Sequence, residues 1–180
     1  MTIPQTYRKS PTSITSYDWR EISSGLGMIK FYLCISKITS GQKHILTEYA
    51  IPSDGNVETG DYETYEFDLT PFNISRIIEG KGYICLNGRA YNGDETNWTV
   101  KLQKIDENEN VIDITDAVTS SLVGENPAYI NVSLDISSTI FKRGERLRLQ
   151  IITGNRTFRT YTDPFREESS IIYIPFKINL

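Results

Sequence analysis

Apolar residues recur at every second position in stretch after stretch of this chain, and this period-two pattern limits its fold more than any other feature. In residues 129–136, Ile130, Val132, Leu134 and Ile136 alternate with Asn131, Ser133 and Asp135. In residues 146–151, Leu147, Leu149 and Ile151 alternate with Arg146, Arg148 and Gln150. Successive side chains of a strand point to opposite faces, so each stretch reads as a strand with one face for a core and one for water. Between them Lys142, Arg143, Gly144 and Glu145 form a polar turn, with Gly144 the residue that accepts a positive φ without a Cβ clash. A short link through Phe141 would then bring the two strands together as an antiparallel hairpin.

The same period marks other segments. GMIKFYLCISK puts Ile29, Phe31, Leu33 and Ile35 on one face, and YETYEFDL does so with Tyr65, Phe67 and Leu69. HILTEYAI, residues 44–51, reads as a strand ending at Pro52, and SDGNVETGD after it reads as a loop. KGYICLNGRAY and NWTVKLQKI are joined by the turn-rich NGDET and predict a second hairpin, while DENEN makes a polar turn into VIDIT. SIIYIPFKI supplies a last strand after an irregular segment through Pro164. FNISRIIE alone carries a helical expectation, weakened by its β-branched isoleucines. With about eight or nine strands, frequent turns and no fixed repeat, the expected fold is all-β: an antiparallel two-sheet β-sandwich of jelly-roll type.

Residues 1–22 differ from the rest. They are polar, contain Pro4 and Pro11, and scatter Ile3, Tyr7, Ile14, Tyr17 and Trp19 with neither helical nor strand spacing. That predicts an extended N-terminal arm whose five apolar groups dock into separate pockets on a partner, ahead of a sandwich domain over residues 23–180. A chain of 180 residues suffices for one such domain with a full core.

Composition narrows the functions. The 19 basic against 23 acidic residues, a net charge of −4, argue against a nucleic-acid partner, which calls for a basic surface. No apolar run approaches the roughly 20 residues of a membrane helix, and the start MTIPQTYRKSPTS lacks the apolar core of a signal peptide. Cys34 and Cys85 match no zinc spacing and make no disulfide framework, so both are expected as free thiols. No cofactor is implied. His44 is the one imidazole and no Gly-x-Ser-x-Gly elbow accompanies it, so the chain is not expected to be an enzyme. Glu63, Glu66, Asp68, Asp94, Glu95 and Asp106 could pair as glycosidase carboxylates, and the loop acids of 94–109 could hold calcium, but neither set has a motif's ordered spacing. Trp98 shares parity with Val100 and Leu102 and is expected in the core. Tyr83 and Tyr91 have the opposite parity from Ile84, Leu86 and Ala90, which leaves them beside Arg89 as a candidate sugar-stacking surface.

The run from Tyr129 to Asn155, with Phe141, Gly144, Arg146, Leu147, Arg148 and Leu149, resembles the galactose-binding-type jelly-roll domains appended to cocaine-esterase and X-prolyl dipeptidyl-peptidase enzymes. A strand there enters through a similar Gly-Xaa-Arg-Leu pattern. Catalysis in those enzymes belongs to a separate hydrolase domain, so the resemblance implies a fold and carries over no catalytic residue. The overall profile also resembles capsid-decorating or cement proteins of tailed phages. That implies a virion structural protein, assembled in the host cytoplasm into a larger particle through contacts with other protein subunits. The alternative is a carbohydrate-binding module using Tyr83, Arg89 and Tyr91, with a glycan as partner.

Overall fold

The computed structural model describes residues 26–38, 41–51, 56–59, 63–90, 95–123, 128–154, 158–162 and 169–177. Every regular element among them is a strand: β1 (Leu26–Ile38), β2 (Gly41–Thr47), β3 (Asn56–Thr59), β4 (Thr64–Leu69), β5 (Arg76–Ala90), β6 (Glu95–Ile105), β7 (Val111–Asp113), β8 (Val118–Val123), β9 (Ala128–Phe141), β10 (Arg146–Thr153), β11 (Phe158–Tyr161) and β12 (Ile171–Lys177). The all-β expectation holds. The stretch FNISRIIE is not helical: Asn73 and Ile74 bend, and Arg76 begins the longest strand. Ile77 and Ile78 there suit a pleated backbone better than a helix, because branching at Cβ restricts χ1 against a preceding helical turn. A strand, β3, also lies inside the expected loop of 53–61.

Hydrogen bonding runs without a break through β5, β12, β1, β2, β4, β10 and β6. β9 lies on the other edge of β5, β7 and β8 lie beyond β6, and β11 and then β3 extend from the end of β5. The sheet curls until its far ends meet: β8 comes beside β9, and the Ser137 N–H donates to the Ile114 carbonyl at 3.3 Å. One core fills the curl, with Phe31, Leu33, Val132, Leu134, Leu147, Leu149 and Ile151 all buried on the faces their alternation predicted. Burying each such side chain contributes on the order of 1.5–3 kcal/mol. Trp98 lies at the bottom of this core, fully buried.

Two pairings differ from expectation. β9 and β10 form no hairpin: β9 pairs with β5, and β10 runs between β4 and β6. β5 and β6 form none either, since β5 takes β9 and β12 on its edges while β6 takes β10 and β8. β5, β6 and β10 each fill both edges with other partners, and a local turn does not displace them. The polar turn after β6 does close a hairpin, with β7. The sheet is also mixed, because β2 and β4 pair in parallel, Ile45 opposite Asp68 and Leu46 opposite Leu69. In β5 the register against β9 shifts between Ile78 and Gly80, and Gly80 takes φ +114° there, a value that glycine holds without strain.

Candidate functional site

The parallel pair creates the recess. Two antiparallel neighbours can be closed by a hairpin, but parallel strands leave in the same direction and their connections must diverge. At the shared end of β2 and β4 the chain runs out through Glu48 and Tyr49 on one side and through Thr70 to Ser75 on the other. A cleft of about 680 Å³ opens between them, floored by Leu46 and Leu69 and reached by Asp68 from β4, Arg76 from β5 and Arg146 from β10.

Both walls are anchored. Thr47 Oγ1 accepts a hydrogen bond from the Tyr49 N–H at 3.2 Å and donates to the Tyr49 carbonyl at 3.1 Å, which ends β2 in a threonine turn and leaves the Tyr49 ring 63% exposed. The opposite wall is held by the turn that precedes β10. The Phe72 N–H donates to the Glu145 carbonyl and the Gly144 N–H to the Phe72 carbonyl, each at 2.9 Å. The Phe72 ring meets Phe141 edge-on at 5.2 Å between centroids. Gly144 takes φ +91°, a left-handed value that favours glycine. The Glu145 carboxylate, buried, pairs with Lys104 at 2.6 Å and accepts from the Lys142 N–H. Burial alone would raise its pKa, and these bonds outweigh burial and lower it. The turn is therefore scaffold, and what it delivers to the site is Arg146.

Arg146 and Asp68 are fixed by a wider ion-pair network. Asp68 accepts from Arg148 through both oxygens and from Arg146 Nε at 3.1 Å. Arg146 also holds Glu109 in a two-point contact, and Arg148 pairs with Glu66. Burial pushes the Asp68 carboxyl upward, but the bonds from Arg148 and then Arg146 bring it below the ordinary carboxylate range. At the cleft rim Glu48 and Arg76 are exposed and make no ion pair with a described residue, and Asn73 and Ile74 stand beside them, Ile74 59% exposed.

The residues picked out from sequence lie elsewhere. Tyr83 sits on the outward face of β5, 49% exposed, across from Ser133 and Tyr173. Arg89 shares that face but stands six positions on, roughly 20 Å along a strand. The two do not form one sugar site. Tyr91 and the arm residues Ile3, Tyr7, Ile14, Tyr17 and Trp19 lie outside the described residues. His44 is wedged edge-on between Tyr65 and Phe67, with centroids at 5.3 and 5.0 Å, and burial lowers its pKa below the usual 6.5. Among the candidate carboxylates, Glu63 accepts the Tyr65 hydroxyl, and Asp106 accepts from the Asn108 and Asn110 N–H groups and the Asn110 amide, closing its own turn. Cys34 is buried and Cys85 half-buried, and neither is in a disulfide with a described residue. Tyr49, Glu48, Asn73 and Arg76 escaped sequence reading; the available signal was a threonine two residues before a tyrosine at a strand end.

No family model matches the chain, and no curated protein matches it in sequence. Solved structures resemble it in fold. A CocE/NonD family hydrolase from Staphylococcus aureus superposes with a TM-score of 0.68 at 14% identity, over 86% of this chain and 37% of the hydrolase. An α-amino acid ester hydrolase gives 0.65 at 14% identity, over 82% of this chain and 36% of that one. An aminopeptidase from a marine sediment archaeon, Thaumarchaeota, gives 0.62 at 11% identity, over 82% of this chain and 37% of the enzyme. The chain thus spans little more than a third of these proteins, and the likeness is one of fold.

Proposed function

We propose that this chain is a non-catalytic carbohydrate-binding module of jelly-roll type, with the sugar seated in the cleft beside Tyr49. The observation that carries this reading is one recess of about 680 Å³ in which an exposed aromatic ring meets acid, guanidinium and amide groups. A pyranose has an apolar face of C–H bonds and a rim of hydroxyls. Tyr49 offers the first a π surface, and Glu48, Asp68, Asn73 and Arg76 offer the second acceptors and donors. The volume is within the several hundred Å³ common to small-ligand pockets.

The fold supports a module over an enzyme. The chain spans little more than a third of the hydrolases it resembles, and the jelly-roll domains that its sequence resembles leave catalysis to a separate domain. Most of the groups that could serve a hydrolytic mechanism make other contacts here: His44 with two rings, Glu66 and Asp68 with arginines, Asp106 within its turn. Attachment to a virion rests on Ile3, Tyr7, Ile14, Tyr17 and Trp19, outside the described residues, whereas glycan binding has a recess to work in. The test is retention on an array of neutral and acidic glycans, followed by calorimetric titration of any hit. A Tyr49→Ala protein with unchanged melting should lose at least about tenfold in affinity, the scale of losing one aromatic contact. Absence of retention on the whole array, or undiminished binding by Tyr49→Ala, overturns the reading.

A further inference from the structure

The charges of the cleft narrow its ligand, an inference that rests on the carbohydrate-binding reading above. We infer that it selects neutral sugars carrying adjacent hydroxyls over the corresponding uronic acids. Two acids, Glu48 and Asp68, and two arginines, Arg76 and Arg146, reach the recess. They are not equally free. Arg146 spends its Nε on Asp68 and one N–H of each terminal nitrogen on Glu109, so its charge is already shared between two carboxylates. Arg76 is the one cleft cation that makes no ion pair with a described residue, and Glu48 at the end of β2 likewise makes none among the described residues.

Hydrogen-bonding capacity points the same way. An ionised carboxylate offers about four acceptor positions, and Asp68 uses three, two toward Arg148 and one toward Arg146. A guanidinium has five N–H donors, about two of which Arg146 leaves unspent. By this count Asp68 and Arg146, bonded to each other at the cleft, keep one acceptor and a pair of donors between them. Two neighbouring hydroxyls satisfy such a unit, one by donating to Asp68 and the other by accepting from Arg146. A uronate carboxylate could take the donors, but it has no proton to give the open Asp68 acceptor and would bring its charge against Glu48, which makes no ion pair with a described residue. Repulsion of this kind discriminates against the wrong ligand as effectively as contacts favour the right one.

The experiment titrates the full chain at low salt with neutral gluco-, xylo- and galacto-oligosaccharides and with the matching oligouronates. At least one neutral member should bind about tenfold or more tightly than its uronate, and Glu48→Gln, an exposed change, should close that gap by about threefold or more with the melting temperature unchanged. A uronate that binds as tightly as its neutral counterpart overturns the selectivity while the module reading stands. An unchanged gap in Glu48→Gln overturns the role given to that acid. Failure of every member of both sets to bind removes the module reading as well.

Discussion

The cleft between β2 and β4 and the outward face of β5 and β9 both expose tyrosines, yet they are different kinds of surface. Tyr83 and Tyr129 are 49% and 52% exposed on one face of the antiparallel pair of β5 and β9. An ion pair on that face, Lys81 with Asp135, spans 3.4 Å with both side chains well exposed, 51% and 86%. Tyr49 is more exposed still, but it stands at the lip of a recess whose polar groups are locked from behind by Arg148, Glu109 and a backbone-bonded turn. An exposed ring on a flat sheet offers one face of contact. The same ring over a pre-set acceptor and donors spares a ligand the cost of ordering them, and that difference separates a site from a surface.

The largest effect should come from the core that both regions share: Leu149→Asp places an unpaired charge at a fully buried position and should cost about 4 kcal/mol or more, read by chemical denaturation. An equally stable mutant would reject the packing of β10. Next, Asp68→Ala leaves two arginines without their shared acceptor and should cost about 2 kcal/mol, with hydrogen exchange rising at the cleft end before it rises on β5 and β9.

Acid should act on the same group. The folded Asp68 carboxyl titrates below its unfolded value, so its contribution is complete above the unfolded pKa, about 3.9, and is lost as pH falls through the lower folded pKa. A stability that does not begin to decline as pH falls below about 3.9 in wild type relative to Asp68→Ala would contradict the network. For binding, Tyr83→Ala should change glycan affinity less than about twofold where Tyr49→Ala changes it at least tenfold. The reverse ranking would move the site to the flat face. The smallest effect should be Lys81→Ala, within about 0.5 kcal/mol, because an exposed pair gains little from its Coulomb attraction in water.

Local pattern made much of this legible. The inward faces of β1, β4, β6, β9 and β10 follow from alternation alone, down to Trp98 in the core. Segment boundaries were less so: β2 ends at Thr47, and the continuation through Glu48 to Ile51 looks like strand only because Tyr49, Ala50 and Ile51 have strand-compatible side chains. β3 was hidden because four residues between glycines and an aspartate carry turn chemistry, and what makes them a strand is β11 beside them.

The sequence by itself determined the class of the fold, which residues face the core, and the polar turn with Gly144 that feeds β10. These depend on side-chain period and on the φ range of one residue, both local properties. Only the tertiary structure decided that β9 pairs with β5 instead of β10, that β2 meets β4 in parallel, and that Glu48, Asp68, Arg76 and Arg146 come from four strand ends into one recess. The reason is that a strand's apolar face states which side must be buried but not which edge must be bonded to which. Any strand can satisfy any edge, and the choice falls to the arrangement that closes one core around all of them.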